Sequence, residues 1–191
     1  MEDGPPAPGP AAFCAMAAPE AGNPASPWVQ RFAALIPPGP VLDLACGKGR
    51  HSRFFLAAGR MVTGIDIDLS GVADLLRHPR FEAIGADLET GAPWPLGERR
   101  FAAVIVTNYL HRPLFEPILS AVMENGLLIY ETFAAGNERF GRPKNPAFLL
   151  RRGELLEVVR GRFRVLAYED LEQQEPYPAC FQRIAAVHSR D

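Results

Sequence analysis

A glycine-rich turn set between an apolar run and a helix-like run constrains this chain more than any other feature. In VLDLACGKGR, positions 41–50, a strand-like stretch carries Asp43 near its end and turns through Gly47 and Gly49 into HSRFFLAAGR, whose apolar residues have helical spacing. A second apolar stretch, MVTGIDID, follows and places Asp66 nineteen residues beyond Gly47. Strand, glycine turn, helix, strand, acid is the plan of a nucleoside-binding βαβ unit. The glycines allow close backbone approach to a ligand and positive φ at the turn. The second acid suits a ribose, because one carboxylate accepts hydrogen bonds from two adjacent hydroxyls.

What the loop lacks narrows the ligand. A dinucleotide fingerprint needs a third glycine where Ser52 stands, which disfavours a NAD-dependent oxidoreductase. Asp43 lies four residues before Gly47, where a pyrophosphate gains nothing from negative charge and a cationic ligand does. The string D-L-A-C-G-K-G, residues 43–49, resembles motif I of the class I S-adenosylmethionine (SAM) dependent methyltransferases, D/E-x-G-x-G-x-G, with Ala45 at the first glycine position. The longer pattern D-L-A-C-G-x-G-R-H-S resembles small bacterial members such as the tellurite-resistance and thiopurine methyltransferase-like groups. The alternative is a doubly wound domain with a degenerate, empty loop.

With 191 residues, 48% of them hydrophobic, the chain suffices for one domain with a full core. A formal charge of −2 offers no global attraction to nucleic acid, though it leaves room for a local basic patch. Cys14, Cys46 and Cys180 are odd in number and form no CxxC pair, which argues against a disulfide framework or a metal site and fits a reducing, cytoplasmic setting. No apolar run reaches the length of a membrane span, and no basic residue precedes Arg31, which argues against secretory and transit peptides. Residues 1–26 are rich in Ala, Pro and Gly and are expected to be a disordered tail, interrupted by a short apolar piece from Ala11 to Ala18 that could dock on the domain. Residues 27–191 are expected to form the methyltransferase domain that the resemblance implies.

Ser26 and Pro27 read as the cap and first turn of a helix over WVQRFAALI. Strands are expected at 40–45, 61–66, 81–87, 101–109 and 127–133. Helices are expected at 50–58, 70–77, 114–122 and 147–160, the last with a break at Gly153. Asn125 and Gly126 should turn into strand five, and the tail should form two strands around Pro176–Pro178. The fully apolar runs VIV and LLIY imply strands covered on both faces. The fold class is α/β: a Rossmann-like, seven-stranded, mostly parallel sheet with helices on both faces. The resemblance implies the strand order 3-2-1-4-5-7-6, with the last strand antiparallel.

Ligands of such sheets sit at the carboxyl ends of the strands. There the resemblance implies that the Ala45, Cys46, Gly47 and Gly49 backbone meets the methionine end and ribose of SAM. Asp43 acts through loop amides, water or the cofactor's ammonium, or merely orders the loop. Asp66 is the expected ribose ligand, Ile67 packs on the adenine, and Asp68 is a helix-capping acid. Asp87 and Leu88 take the adenine edge, unless Asp87 is only a turn residue. Thr107 and Asn108 offer acceptors at the methionine end, and Tyr109 faces the acceptor. No proline follows Asn108, so the N/D-P-P-Y/F motif of adenine-N6 and glutamine methyltransferases is missing. His111 is the one nearby group able to take a proton near neutral pH, or else a packing histidine. Arg112 and Arg142 are candidate grips on an anionic substrate, the latter in a long, locally basic loop with Arg139 and Lys144.

The resemblance thus implies methyl transfer from SAM by direct in-line displacement, with no metal required. A small-molecule acceptor comes first. A nucleic acid comes second, on the basic 139–152 region, and a non-catalytic SAM-binding partner protein third.

Overall fold

A computed structural model describes residues 24–189. Most of the expected disordered tail, including the apolar piece at 11–18, lies outside the described residues. The last three residues of that stretch are described, and there Ala25 and Ser26 are buried. Ser26 caps α1 (Pro27–Phe32), its hydroxyl accepting from the amides of Trp28 and Val29.

Seven strands form one sheet: β1 (Val41–Leu44), β2 (Val62–Asp66), β3 (Phe81–Gly85), β4 (Phe101–Thr107), β5 (Val122–Phe133), β6 (Phe163–Gln173) and β7 (Ala179–His188). Their order is β3-β2-β1-β4-β5-β7-β6, as the resemblance implied. The β1–β2, β1–β4, β2–β3 and β4–β5 pairs are parallel, and β7 is antiparallel to both neighbours. Successive residues of a strand face opposite sides, and the apolar runs fill both. Val41, Ala103, Ile105, Leu127 and Ile129 pack under α1 and α2 (Arg50–Ala57). Leu42, Leu44, Val104, Val106, Leu128 and Tyr130 pack under α3 (Phe115–Ser120) and α4 (Glu154–Val159). Each fully buried Leu or Ile of these layers contributes about 1.5–3 kcal/mol.

α2 follows the glycine turn because its sequence is amphipathic: His51, Ser52, Phe55 and Leu56 are buried on one face. It ends where Gly59, at φ 78°, lets its own amide bond to the Leu56 carbonyl and the Arg60 amide to that of Phe55.

Four elements differ from their sequence expectation. The helix expected at 70–77 is a 3-10 segment, Leu69–Leu75, capped by Asp68 through the Ser70 amide. α3 is shorter than 114–122, because Val122 already pairs with Phe101 in the sheet. Asn125, at φ 60°, and Gly126 turn the chain inside β5, so that Ala103 pairs next with Leu127. The helix expected at 147–160 shrinks to α4. Leu150 instead bonds back to Phe133 and forms a bridge with Ala134, and Gly153, at φ 74°, starts the helix rather than breaking it.

The start of α4 is held by Arg112. Its guanidinium donates to both carboxylate oxygens of Glu154, at 2.7 and 2.9 Å, and to the carbonyls of Ala147 and Leu149. Glu154 is buried and also accepts from the Arg151 amide, so its carboxyl stays below the usual range despite the cost of burial. Arg112→Ala would leave a buried carboxylate short of its main partner. It should cost about 3 kcal/mol in urea unfolding; a loss under about 1 kcal/mol would mean an ordinary surface pair.

Candidate functional site

The carboxyl ends of β1, β2, β3 and β4 bring together residues that lie far apart in the sequence. Ala45, Asp66, Ile67, Ala86, Asp87, Leu88, Glu89 and Tyr109 line a cleft of about 410 Å³. Five of these were expected at the cofactor and Tyr109 at the acceptor. Glu89 was not foreseen, because it sits past the strand in a turn with no motif of its own.

The glycine loop forms the cleft's edge. Ala45, Gly47 and Gly49 have φ of 52°, 52° and 70°, the left-handed region that favours glycine. Ala45 occupies that region without being glycine, at a cost of about 1 kcal/mol. A Cβ on Gly49 would lie 2.6 Å from Val72, and one on Gly71 would lie 2.6 Å from the Gly47 carbonyl. Gly71 is thus the close-packed lid of the loop, and nothing in its sequence context signals this. Arg53 clips the Gly71 segment to α2 through the Gly71 carbonyl and Asp74.

Asp66 sits at the end of β2. Its Oδ2 accepts from the Gly47 amide at 2.7 Å and its Oδ1 from the Asp68 amide at 3.1 Å. Each oxygen keeps lone-pair capacity for a further donor. Ile67 beside it is 70% exposed, an apolar side chain presented on the wall of the cleft. Asp87 forms a turn through the Glu89 amide and also lines the cleft. The hydroxyl of Tyr109 is buried and makes no hydrogen bond of regular geometry among the described residues. Burial, then the charge and hydrogen-bonding carboxylate of Glu89 and the charges of Asp87 and Asp66, push its pKa well above the ordinary tyrosine value, so it remains a protonated donor with Glu89 as a nearby acceptor.

Asp43 faces away from the cleft and beneath the loop. Its Oδ2 accepts from the Ser52 amide at 2.8 Å and the Ser52 hydroxyl at 2.6 Å. Cys46 is buried, its amide tied to the Ile65 carbonyl and its thiol pushed up to about 12, chiefly by burial. His51 is buried beside Asp43, accepting from the Ser26 amide through Nε2, with Nδ1 3.4 Å from Thr107 Oγ1 and 3.8 Å from Asp43 Oδ1. An Nε2 that accepts leaves the ring proton on Nδ1. Thr107 therefore touches this inner network, while Asn108, at φ 55°, ends β4 and is exposed.

The remaining expected residues stand apart from the cleft lining. His111 precedes the 3-10 turn Arg112–Leu114, half-buried, with its carbonyl accepting from Leu114. The guanidinium of Arg112 is occupied by Glu154 and two carbonyls, so it is a structural clamp rather than a free grip. Arg142 is exposed in the loop after β5.

Residues 41–125 match the family model of the methyltransferase domain. No curated protein matches the chain. Among solved structures it is similar to TehB from Haemophilus influenzae, at 19% identity and TM-score 0.68 over 84% of this chain and 61% of TehB. It is also similar to the 1,6-didemethyltoxoflavin-N1-methyltransferase of Burkholderia thailandensis, at 19% identity and TM-score 0.63 over 85% of this chain and 76% of that one. A third is a SAM-dependent methyltransferase from Methanosarcina mazei, at 16% identity and TM-score 0.64 over 88% and 100%. The chain thus spans about three fifths of TehB. The fold is that of the class I SAM-dependent methyltransferases. The family match begins at the strand that leads into motif I, so the resemblance read there is borne out.

The inner network makes opposite demands on pH. Burial raises Asp43 from 3.8 to about 7, so between these values the folded protein keeps a proton that the unfolded chain has released. Its contribution to stability is complete below 3.8 and is lost as pH rises towards 7. Burial lowers His51 from 6.5 to about 3, so its contribution is complete above 6.5 and is lost as pH falls. The two slopes oppose each other over the shared range. Asp43→Asn removes one, so stability should fall by up to about 1.4 kcal/mol per pH unit more steeply than wild type on acidification below His51's ordinary value. Parallel urea-derived stability curves for the two proteins would contradict this account.

Proposed function

We propose that this chain is a SAM-dependent methyltransferase acting on a small-molecule acceptor. The observation that carries the reading is the charge of the cleft. Asp66, Asp87 and Glu89 line it, and among the described residues no lysine or arginine does. An anionic dinucleotide would be repelled there, and a ligand with a positive sulfur and an ammonium would gain. The Tyr109 hydroxyl and the exposed Ile67 fit a ligand with both polar and flat apolar parts. The family match, and the S-adenosylhomocysteine held by the Burkholderia neighbour, support the same cofactor.

In this reading Asp66 receives the ribose hydroxyls, Ile67 covers the adenine, and Asp87 with Leu88 meets its edge. The backbone of Ala45, Cys46, Gly47 and Gly49 borders the ribose and methionine end, near Thr107 and Asn108. Asp43 holds that loop from beneath. When bound, the cofactor supplies a methyl group on a positive sulfur, open to in-line displacement. The cofactor would supply the methyl carbon and retain the carbon–sulfur electron pair, so the acceptor would need to bring only a lone pair. The chain's own work is to hold the acceptor in attack geometry, which can supply roughly 7–11 kcal/mol. His111, just past the end of β4, takes the acceptor's proton where one must be lost.

The small-molecule preference rests on the compact domain and on the fate of the basic loop. Of its cations, Arg139 pairs with Glu172 and Arg151 with Glu154, which weakens the nucleic-acid alternative. A cytoplasmic setting belongs to the same proposal; among the described residues no helix is long and apolar enough to cross a membrane.

Calorimetric titration with SAM, S-adenosylhomocysteine and NAD tests the cofactor. Saturable binding of the first two and none of NAD is expected, and the reverse pattern would overturn the reading. Asp66→Ala should weaken SAM binding about tenfold or more while the domain still melts cooperatively. His111→Ala should slow labelled-methyl transfer roughly a hundredfold without changing SAM affinity. Equal rates would reduce His111 to packing, and SAM binding without turnover of any acceptor would favour the non-catalytic partner.

A further inference from the structure

A second cavity, of about 450 Å³, opens at the same end of the sheet, over β5, β7 and β6. The carboxyl end of β5 and the start of β7 meet there, Phe133 pairing with Phe181. β4, which carries Thr107 and leads into Tyr109, lies two strand spacings from β7, about 10 Å. Arg139, Arg152, Asp170, Glu172 and Cys180 are in the lining.

Their hydrogen bonds show which groups are spoken for. Arg139 is fixed: its Nε donates to the Gly136 carbonyl at 3.0 Å, and its Nη2 to Glu172 at 2.7 Å and to the Cys180 sulfur at 3.7 Å. The guanidinium lies 5.0 Å from the Phe140 ring centre. Nη1 has no partner among the described residues. Asp170 is fixed through Oδ2, which accepts from the Gly153 amide and the Tyr168 hydroxyl, both at 3.2 Å, while Oδ1 has none among them. Arg152 forms no ion pair among the described residues. The cavity therefore presents one whole guanidinium, one edge of a second and one carboxylate oxygen, and with Glu172 the formal charges of the four side chains cancel.

We infer that this cavity binds the polar head of the methyl acceptor, and that the acceptor is an elongated α-amino- or α-hydroxy-carboxylate. The inference rests on the methyltransferase reading above. A single carboxylate matches the planar donors of Arg152 and Arg139. The adjacent amino or hydroxyl group donates to Asp170. Glu172 and Asp170 offset the cations, so a phosphate dianion or a polyanion would meet repulsion that a monocarboxylate with a donor does not. The head sits over β7, and the reacting atom must lie beside β4. The acceptor therefore carries its nucleophile at the far end of a chain about 10 Å long.

Norleucine, norleucinamide and hexanoate serve as probes, titrated by NMR into the full-length protein with S-adenosylhomocysteine present. Norleucine should bind saturably, and its amide, lacking the negative charge, about tenfold more weakly. Arg152→Glu should weaken norleucine by about the same factor. Asp170→Asn should abolish the preference for norleucine over hexanoate while hexanoate still binds. Absence of saturable norleucine binding, equal binding of acid and amide, or indifference to Arg152→Glu would overturn the assignment. S-adenosylhomocysteine affinity is read on the same samples. Its absence in the wild type overturns the methyltransferase reading itself, whereas its presence beside indifferent norleucine data overturns the acceptor site alone. Thermal melting of each variant separates lost binding from lost fold.

Discussion

A buried carboxylate under the glycine loop is the contact on which the rest of the cleft depends. Asp43 leaves β1 facing the α2 side of the sheet and takes both the amide and the hydroxyl of Ser52, in the first turn of α2. That joins the end of a central strand to the start of the following helix and sets the span the loop must cross. The left-handed residues Ala45, Gly47 and Gly49 are the backbone solution to that short span. Asp66 then closes the loop from β2 through the Gly47 amide. Two acids from neighbouring strands therefore grip one loop from opposite sides, and only the second keeps a face towards the cleft.

Charge is divided between the two cavities at this end of the sheet. The cleft over β1 to β4 is acidic, and the cavity over β5 to β7 carries paired, balanced charge. In the proposed reading this arrangement keeps a cationic cofactor apart from a polar acceptor. The basic loop that looked like a single patch in sequence is dispersed by its partners. Arg139 goes to Glu172, Arg151 to Glu154, and Arg112 closes α4 onto the body of the domain.

Much of the fold was legible because hydrophobic burial imposes periodicity on the sequence. The runs around Leu42, Val104 and Leu128 are apolar on both faces, which only a covered parallel sheet requires. The errors fall where local propensity and tertiary pairing compete. Residues 147–152 have a helical composition, yet Leu150 is drawn to Phe133 and Ala134 by sheet hydrogen bonds. Val122 leaves its expected helix for a partner in β4. Residues of the glycine loop and its neighbours were legible where a motif marks them, as at Asp43, Gly47 and Asp66. Glu89, Gly71 and His51 were missed as parts of the site because their roles arise from distant contacts.

The sequence alone determined the class of sheet, the position of the nucleoside-type loop and the acids at its two flanking strands. These follow from patterns within about 30 residues, where spacing translates directly into geometry. Tertiary structure decided the rest: Asp43 works beneath the loop, Arg112 is a clamp, Tyr109 stands with Glu89 in the cleft, and Arg139 with Arg152 borders a second cavity. A side chain's role depends on which groups claim its charges and hydrogen bonds. Those groups come from strands and loops that only the folded chain brings together.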